Sequence, residues 1–286
     1  MSSAQQTDTE KALALAAVRD FHEYFSSPPP FTKGSQFALP HAMIVVPMGD
    51  LSIETFSAMY ERVGPMLAKS YEAGRTGFRH WLTEPEAEIW VSGNIAAVLV
   101  GWAATLDGQT KLLHTVNLCT LHRLSDGYSP GENPWRISGL VDMAHLPPEM
   151  PIPAVERDVL DVTALFETLV GRINAKDWQS IPSLLLPGSG ATISQDTGAP
   201  ETFLWPEVIK RLQVEAESGT LAEKKLLNCE SRRCSDLAFV WAPFVLITDG
   251  VELARGIDVC SFRSEKGEWL ASGLQETITS SQASTD

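Results

Sequence analysis

Residues 135–142 read WRISGLVD, and the pattern returns 134 positions later as WLASGLQE at residues 269–276. Further matches precede both copies in the same order: VNLCTLHR at 116–123 with IDVCSFRS at 257–264, Asp107-Gly108 with Asp249-Gly250, and LP then ETF at 39–56 with LP then ETF at 186–203. A series of matches in constant order indicates an internal duplication, in which each half is one structural unit.

The length of the chain agrees with a duplication, because 286 residues correspond to two domains of common size. We predict domain 1 over residues 1–148 and domain 2 over residues 149–286. Residues 146–157 contain four prolines and form a short, stiff linker. A composition of 44% hydrophobic and 20% charged residues is typical of globular domains with their own cores.

The net charge of −14 disfavours two classes of partner. An acidic protein without a stripe of Lys and Arg is poorly suited to the phosphates of nucleic acids or to anionic membranes. We therefore expect no nucleic acid and no membrane among the partners. A small neutral or apolar ligand, or another protein, fits the charge better.

The four cysteines and the absence of targeting signals predict a cytoplasmic protein. Cys119 and Cys260 occupy equivalent positions in apolar strand patterns and are interpreted as buried thiols. No apolar run approaches the roughly 20 residues that span a bilayer, and the amino terminus does not resemble a signal peptide. The spacing of Cys229 and Cys234 is not that of a zinc site, and no dinucleotide or phosphate-loop motif is present. We expect neither a metal nor another cofactor.

Each half begins with helical patterns and ends with strand patterns. Apolar residues recur at helical spacing over residues 10–27, and again at Val162, Phe166, Leu169 and Ile173. A short apolar stretch and a second helical segment follow, around residues 54–72 and 201–217. Alternating patterns from residue 86 and over residues 237–263 predict long antiparallel strands. This order predicts an α+β fold, with helices on one face of a curved sheet in each half.

The order of elements, together with the final strand Trp-x-x-Ser-Gly-Leu-x-acid, resembles the NTF2-like fold, also called SnoaL-like or the cystatin-like cone. The resemblance covers nearly the whole chain and implies two tandem cone domains. Because single-domain members commonly pair their sheets, it also implies an intramolecular pseudo-dimer. Oligomers beyond this pseudo-dimer are compatible with the pattern.

Proteins of this fold include ketosteroid isomerases, polyketide cyclases, scytalone dehydratases and fungal isomerases of secondary metabolism, beside many non-catalytic modules. The resemblance thus implies a cofactor-independent isomerase, cyclase or dehydratase acting on an apolar small molecule, or a pericyclic cyclase that works by cavity shape. The alternative is a non-catalytic ligand-binding or scaffold protein. Fold alone does not decide between them.

Polar residues on the inner sheet face are the candidates for chemistry. In the strand around residue 117, the odd positions share one face, which the apolar members mark as the inner one. This places Asn117 and Asp258 at one equivalent inner position, and Asp142 and Glu276 at another.

All six histidines lie in the first half, which favours a catalytic cone there. We predict Asp142 as general acid/base, His80 as a second proton carrier and Asn117 as the group that holds a substrate oxygen. The predicted substrate-binding residues are Trp81, Trp102, Thr115 and Cys119. The competing interpretation gives each of these side chains a packing or surface role.

The second half carries Pro243-Phe244 where the first carries Gly101-Trp102. A proline in a strand requires an edge or a bulge. We therefore expect the second cone to be distorted or filled, with a structural role.

Overall fold

A computed structural model describes residues 3–26, 36–48, 50–72, 79–106, 110–125, 132–195 and 198–281. The chain divides into two compact units, Met1–Ala154 (unit 1) and Val155–Asp286 (unit 2). The sequence-based boundary lies six residues earlier in the chain. The Asp107-Gly108 pair of the repeat, a sequence typical of a two-residue turn, lies outside the described residues.

Unit 1 is a six-stranded sheet with two helices among its described residues. Its elements in chain order are α1 (Ser3–Phe25), β1 (Ala38–Met48), β2 (Asp50–Thr55), α2 (Phe56–Glu72), β3 (Arg79–Ser92), β4 (Ile95–Leu106), β5 (Thr110–Arg123) and β6 (Trp135–Asp142). The strand order is β2-β1-β6-β5-β4-β3, in which only β1 and β6 pair in parallel.

Unit 2 repeats this plan with an eight-stranded sheet. Its elements are β7 (Glu156–Arg157), α3 (Leu160–Asn174), a 3₁₀ turn (Ile181–Leu184), β8 (Gly190–Gln195), β9 (Glu201–Leu204), α4 (Trp205–Ser218), β10 (Glu223–Leu226), β11 (Glu230–Cys234), β12 (Leu237–Thr248), β13 (Val251–Glu265) and β14 (Glu268–Ser280). The order is β7-β11-β12-β13-β14-β8-β9, with β10 also paired to β12.

The central strands of the two sheets follow the same order, and β8 pairs with β14 in parallel as β1 does with β6; β7 and the strand break that gives β10 and β11 are particular to unit 2. This confirms the predicted α+β class with two tandem units. Some boundaries differ from the prediction: residues 201–204 form a strand along β8, so α4 begins only at Trp205, and β3 begins at Arg79 instead of residue 86.

The Ser-Gly that recurs in WRISGLVD and WLASGLQE lies at a β-bulge in both units. In unit 1, Thr120 pairs with Gly139 but Leu121 pairs with Ile137, which leaves Ser138 as the extra residue. The same shift in unit 2 leaves out Ser272. A bulge bends its strand and increases the twist. The Ser-Gly of the repeat therefore has a structural role, because it bends the last strand of each sheet.

The helices cover one face of each sheet. In unit 1 the apolar stripe of α1 packs on the inner face of β4 and β5, together with Phe56 at the start of α2; the buried members are Ala14, Val18, Phe21, Phe56, Val98, Val100 and Leu121. In unit 2 the equivalent core contains Val162, Phe166, Leu169, Val240, Cys260 and Phe262. Burial of each large apolar side chain contributes about 1.5–3 kcal/mol.

Pro243 is accommodated by a break in the neighbouring strand. It lies in β12 opposite the gap between β10 and β11, where its carbonyl accepts a hydrogen bond from Leu227 N at 2.8 Å. A residue without an N–H fits this position because no ladder bond is needed there. The break leaves the pairing of β12 with β13 continuous from Leu237 to Leu246.

Gly256 provides the space for Phe244, its neighbour across β12 and β13. A Cβ at Gly256 would lie 2.4 Å from Phe244 Cζ and 2.1 Å from the carbonyl oxygen of Thr277. Gly256→Ala should therefore lower the free energy of unfolding by about 1–3 kcal/mol, as overpacking does. Urea unfolding measures this change.

Gly171→Ala in α3 is the matched control, because a Cβ there meets no atom within 4 Å. It should raise the free energy of unfolding by about 0.5–1 kcal/mol through helix propensity. Equal stability of the two variants would contradict the assigned packing.

Candidate functional site

A cavity of about 660 Å³ lies in unit 2, between the sheet and helices α3 and α4. Its wall is mostly apolar and includes Phe166, Leu169, Ile173, Ile193, Phe203, Trp205, Leu212, Leu246, Leu274 and Ile278. The expectation that the second cone would be filled is therefore wrong. The substitution at Pro243 changes the edge of the sheet and not the space beneath α3 and α4.

A buried charge cluster of Lys224, Asp258 and Glu276 lies in this cavity, and we call it the unit 2 site. Asp258 and Glu276 are directly opposite each other on β13 and β14. The Lys224 Nζ donates to Asp258 Oδ2 at 2.8 Å and also to Glu276 Oε2. The ammonium therefore joins both carboxyl groups.

Lys224 is held in place from two sides. Its Nζ lies 4.0 Å from the centre of the Phe244 ring, a cation–π contact. Its backbone is bound by the Asn174 amide, which donates to Lys224 O at 2.8 Å and accepts from Lys224 N at 3.1 Å. Asn174 at the end of α3 thus joins β10 to the helix and aims the lysine at the carboxyl groups.

The two carboxyl groups have different pKa values. Burial raises the pKa of Asp258 well above the ordinary value, and the charge of Lys224 offsets this rise only in part. Burial also raises the pKa of Glu276, but the charge of Lys224 and the hydrogen bonds with Asp258 and Lys224 outweigh this effect, so the pKa of Glu276 is lowered. For Lys224, burial is outweighed by both carboxylates, so its pKa is raised. Asp258 therefore favours the protonated form, beside an ionised Lys224–Glu276 pair.

In unit 1 the equivalent positions belong to a cluster of His22, His80, Trp102, Asn117, Asp142 and His145, which we call the unit 1 cluster. Asn117 and Asp142 pair directly across β5 and β6, as Asp258 and Glu276 do. Asp142 accepts a hydrogen bond from Trp102 Nε1 at 3.4 Å, and its Oδ2 lies 3.3 Å from His145 Nε2. This confirms that the two inner positions recur.

The histidines of the unit 1 cluster surround Trp102. The ring centre of His80 lies 4.7 Å from that of Trp102, and the ring centre of His22 lies 5.5 Å from it. Asn117 Nδ2 lies 3.3 Å from His22 Nε2. Burial lowers the pKa of His22 to about 3, and burial followed by the charges of His22 and His145 lowers that of His80. Both imidazoles are therefore neutral at pH 7.

Six of the seven residues predicted for the first cone lie near one another. His80, Trp102, Asn117 and Asp142 are in the unit 1 cluster, and Cys119 Sγ contacts Asn117 Oδ1 at 3.6 Å. Thr115 pairs with Trp102, but its hydroxyl donates to the carbonyl of Met143 at 2.9 Å.

The exception is Trp81. It pairs with Ala103, one position from Trp102, and therefore lies on the opposite sheet face, 38% exposed. Trp81 thus does not line a pocket with Trp102. Two further cavities in unit 1, of about 140 and 530 Å³, are lined by other residues than the unit 1 cluster.

The sequence interpretation missed three residues. Lys224 lies in a short strand, EKKL, where two adjacent lysines give no sign of which one points inward. His22 and His145 are two of the six histidines of the first half, and the sequence predicts no particular role for either. The helical stripe of α1 places His22 next to Phe21 on the inner side, which was a signal available for His22.

Two kinds of feature are absent from the described ranges of the chain. None of the helices in these ranges combines the length and apolarity required for a membrane span. Within the same ranges, no three His, Cys, Asp or Glu side chains are arranged to hold a metal ion.

No family model matches the chain, and no curated protein is similar to it in sequence. Solved structures do match. A protein of unknown function with a cystatin-like fold from Nostoc punctiforme is 11% identical, with 43% of this chain and 91% of that chain covered and a TM-score of 0.35. An NTF-2 like protein of unknown function from Silicibacter pomeroyi is 16% identical, with 41% of this chain and 91% of that chain covered and a TM-score of 0.33. An NTF2-like protein with a cystatin-like fold from Novosphingobium aromaticivorans is 11% identical, with 43% of this chain and 80% of that chain covered and a TM-score of 0.33.

Burial of His22 predicts that unit 1 loses stability in acid. Because the pKa of His22 falls from 6.5 to about 3 on folding, the unfolded chain binds the proton first. The stability is complete above pH 6.5 and declines toward pH 3, by about 1.4 kcal/mol per pH unit. Hydrogen exchange of the β4 amides at pH 7 and pH 5, corrected for intrinsic rates, measures the loss.

His22→Gln should reduce this loss while retaining an acceptor for Asn117. His41→Gln is the control, since His41 is exposed on β1 and should leave the loss unchanged. An unaltered pH dependence in His22→Gln would refute the assignment to His22.

Proposed function

We propose that the protein is a cofactor-independent isomerase, cyclase or dehydratase that acts on a small apolar molecule in the cavity of unit 2. The observation that carries the proposal is the unit 2 site within a mostly apolar cavity of about 660 Å³. Volumes of this order are typical of small-molecule sites. A place in secondary metabolism and in the cytoplasm, both expected from the sequence, belongs to the same proposal.

The roles follow from the two carboxyl groups. A protonated Asp258 can donate a proton to a substrate oxygen, and an ionised Glu276 can accept one from carbon. Two carboxyl groups whose surroundings separate their pKa values in this way are a common acid/base arrangement. A correctly placed acid or base accelerates proton transfer by about 10²–10⁴-fold. Lys224 would keep Glu276 ionised, and Asn174 would position Lys224.

Binding without turnover is the second candidate. Lys224 contacts both carboxyl groups, so the charges of the site are largely balanced within the protein. Such balance favours a role as a polar anchor at the base of a ligand cavity. This is the ligand-binding alternative that the sequence left open.

The unit 1 cluster is the other place for the same chemistry, with Asp142, His80 and Asn117 in the roles expected from the sequence. The contact between Asp142 and His145 supports it, because the His145 side chain is 23% exposed and links the buried carboxyl group to the surface. The unit 2 site is favoured because it lines a cavity of about 660 Å³, whereas the two cavities described in unit 1 are lined by residues outside the unit 1 cluster.

The binding step can be tested with the uncharged fluorophore N-phenyl-1-naphthylamine. We expect one molecule to bind per chain, with increased fluorescence in the apolar cavity. Ile278→Trp should lower the affinity by about tenfold or more, since a side chain that fills the wall removes ligand contacts worth at least 1.4 kcal/mol. Val251→Trp is the control, because Val251 is 61% exposed in the neighbouring strand. Equal affinities in the two variants would place the probe elsewhere.

Turnover can be tested with 5-nitrobenzisoxazole, an apolar reporter of general bases. A base removes the carbon-bound proton, the N–O bond breaks, and a coloured cyanophenolate forms. Glu276→Gln should reduce the rate by about 10²-fold or more, because an amide cannot accept the proton. Lys225→Met, at the exposed neighbour of Lys224, should leave it unchanged.

The outcomes separate the candidates. Loss of the rate in Asp142→Asn, with retention in Glu276→Gln, would move the chemistry to the unit 1 cluster. Probe binding without any enzymatic rate above that of free carboxylate would favour the non-catalytic binder.

A further inference from the structure

The cavity of unit 2 has more acidic than basic groups on its wall. The ionisable side chains that line it are the acids Glu201, Glu215, Asp258 and Glu276 and the bases Arg211 and Lys224. Burial and the charge of Glu276 raise the pKa of Glu215, which shows that the acids influence one another. When all are ionised, the wall has two negative charges in excess.

Both bases are already engaged. Lys224 is hydrogen-bonded to the two carboxyl groups beside it. The guanidinium carbon of Arg211 lies 3.6 Å from the centre of the Phe203 ring, so this cation stacks on the wall, where its charge also acts on Glu215. A ligand anion beside Asp258 would meet two carboxyl groups that share the ammonium of Lys224.

One acceptor atom in the cavity lacks a partner. Asp258 is 0% exposed, its Oδ2 accepts from Lys224, and its Oδ1 is buried without a hydrogen-bond partner among the residues described. A buried polar atom in this state costs about 1–3 kcal/mol until a ligand satisfies it. It marks the position that a donor group of the ligand would occupy.

We infer that the ligand of this cavity is an apolar molecule with one basic nitrogen, bound as an ammonium ion with its N–H directed at Asp258 Oδ1. The inference rests on the proposed function and names the class of its substrate. With this ligand bound, Asp258 is the ionised anchor of the nitrogen, and Glu276 remains the base.

The reason is the charge balance. Lys224 is one cation for two carboxyl groups, so Asp258 and Glu276 cannot both be ionised at low cost. A ligand ammonium supplies the second cation, and Asp258 can then ionise and form a charge-assisted hydrogen bond. A carboxylate of the same shape adds an anion beside Glu276, whose charge Lys224 already balances. An alcohol satisfies Oδ1 without changing the balance.

Three probes with one alkyl chain and different head groups test the inference: octylamine, octan-1-ol and octanoate, titrated into the full chain by calorimetry at pH 7. We expect octylamine to bind with one molecule per chain and about tenfold or more tighter than octan-1-ol, as a charged hydrogen bond allows. Octanoate should bind most weakly. Octan-1-ol binding as tightly as octylamine, or octanoate binding tighter than either, overturns the inference while leaving an apolar cavity in place.

Asp258→Asn assigns the preference to the carboxyl group. This variant should bind octylamine no tighter than octan-1-ol. Asp249→Asn, in the exposed turn after β12, should keep the preference, because it changes the net charge equally at a distance from the cavity. A preference that survives in Asp258→Asn overturns the inference. A chain that binds none of the three probes, nor the naphthylamine, overturns the proposed function as well.

Discussion

A single ammonium group shared by two buried carboxyl groups is the interaction on which the unit 2 site depends. Asp258 and Glu276 lie side by side on neighbouring strands in an apolar space, where an uncompensated pair of charges would be costly. Lys224 supplies the compensation, and it can do so only because Asn174 binds its backbone to α3. The cavity, the separated carboxyl groups and the free oxygen of Asp258 all follow from this arrangement.

The duplicated fold places a polar pair at the same two strand positions in both units, and the units satisfy that pair differently. In unit 1 the partners are aromatic and imidazole side chains, which fill the space around Asn117 and Asp142. In unit 2 the equivalent of Trp102 is Phe244, which lies over Gly256 and supports Lys224. In unit 1 the aromatic and imidazole rings form a packed cluster. In unit 2 the polar pair is satisfied by Lys224 from β10, and the space under α3 and α4 stays open.

Much of this was accessible from the sequence, because the repeat compares each strand with its copy. It predicted the α+β class, the inner strand face and the equivalence of Asn117 with Asp258. The role of Lys224 could not be predicted from the sequence, since the direction of its side chain depends on the break between β10 and β11 that Pro243 allows. The histidine distribution pointed to unit 1, but buried rings fill a cone as readily as they line one. Trp81 and Trp102 lie on different strands, so their faces follow from a pairing register that composition does not reveal.

Carbon-13 NMR of the side-chain carboxyl groups at pH 7 is the most direct test of the central claim, with signals assigned through Asp258→Asn and Glu276→Gln. The claim is that Lys224 divides the two carboxyl groups into an acid and a base. The account predicts the chemical shift of a protonated carboxyl for Asp258 and of an ionised carboxylate for Glu276. Two ionised carboxylates at pH 7 would contradict it.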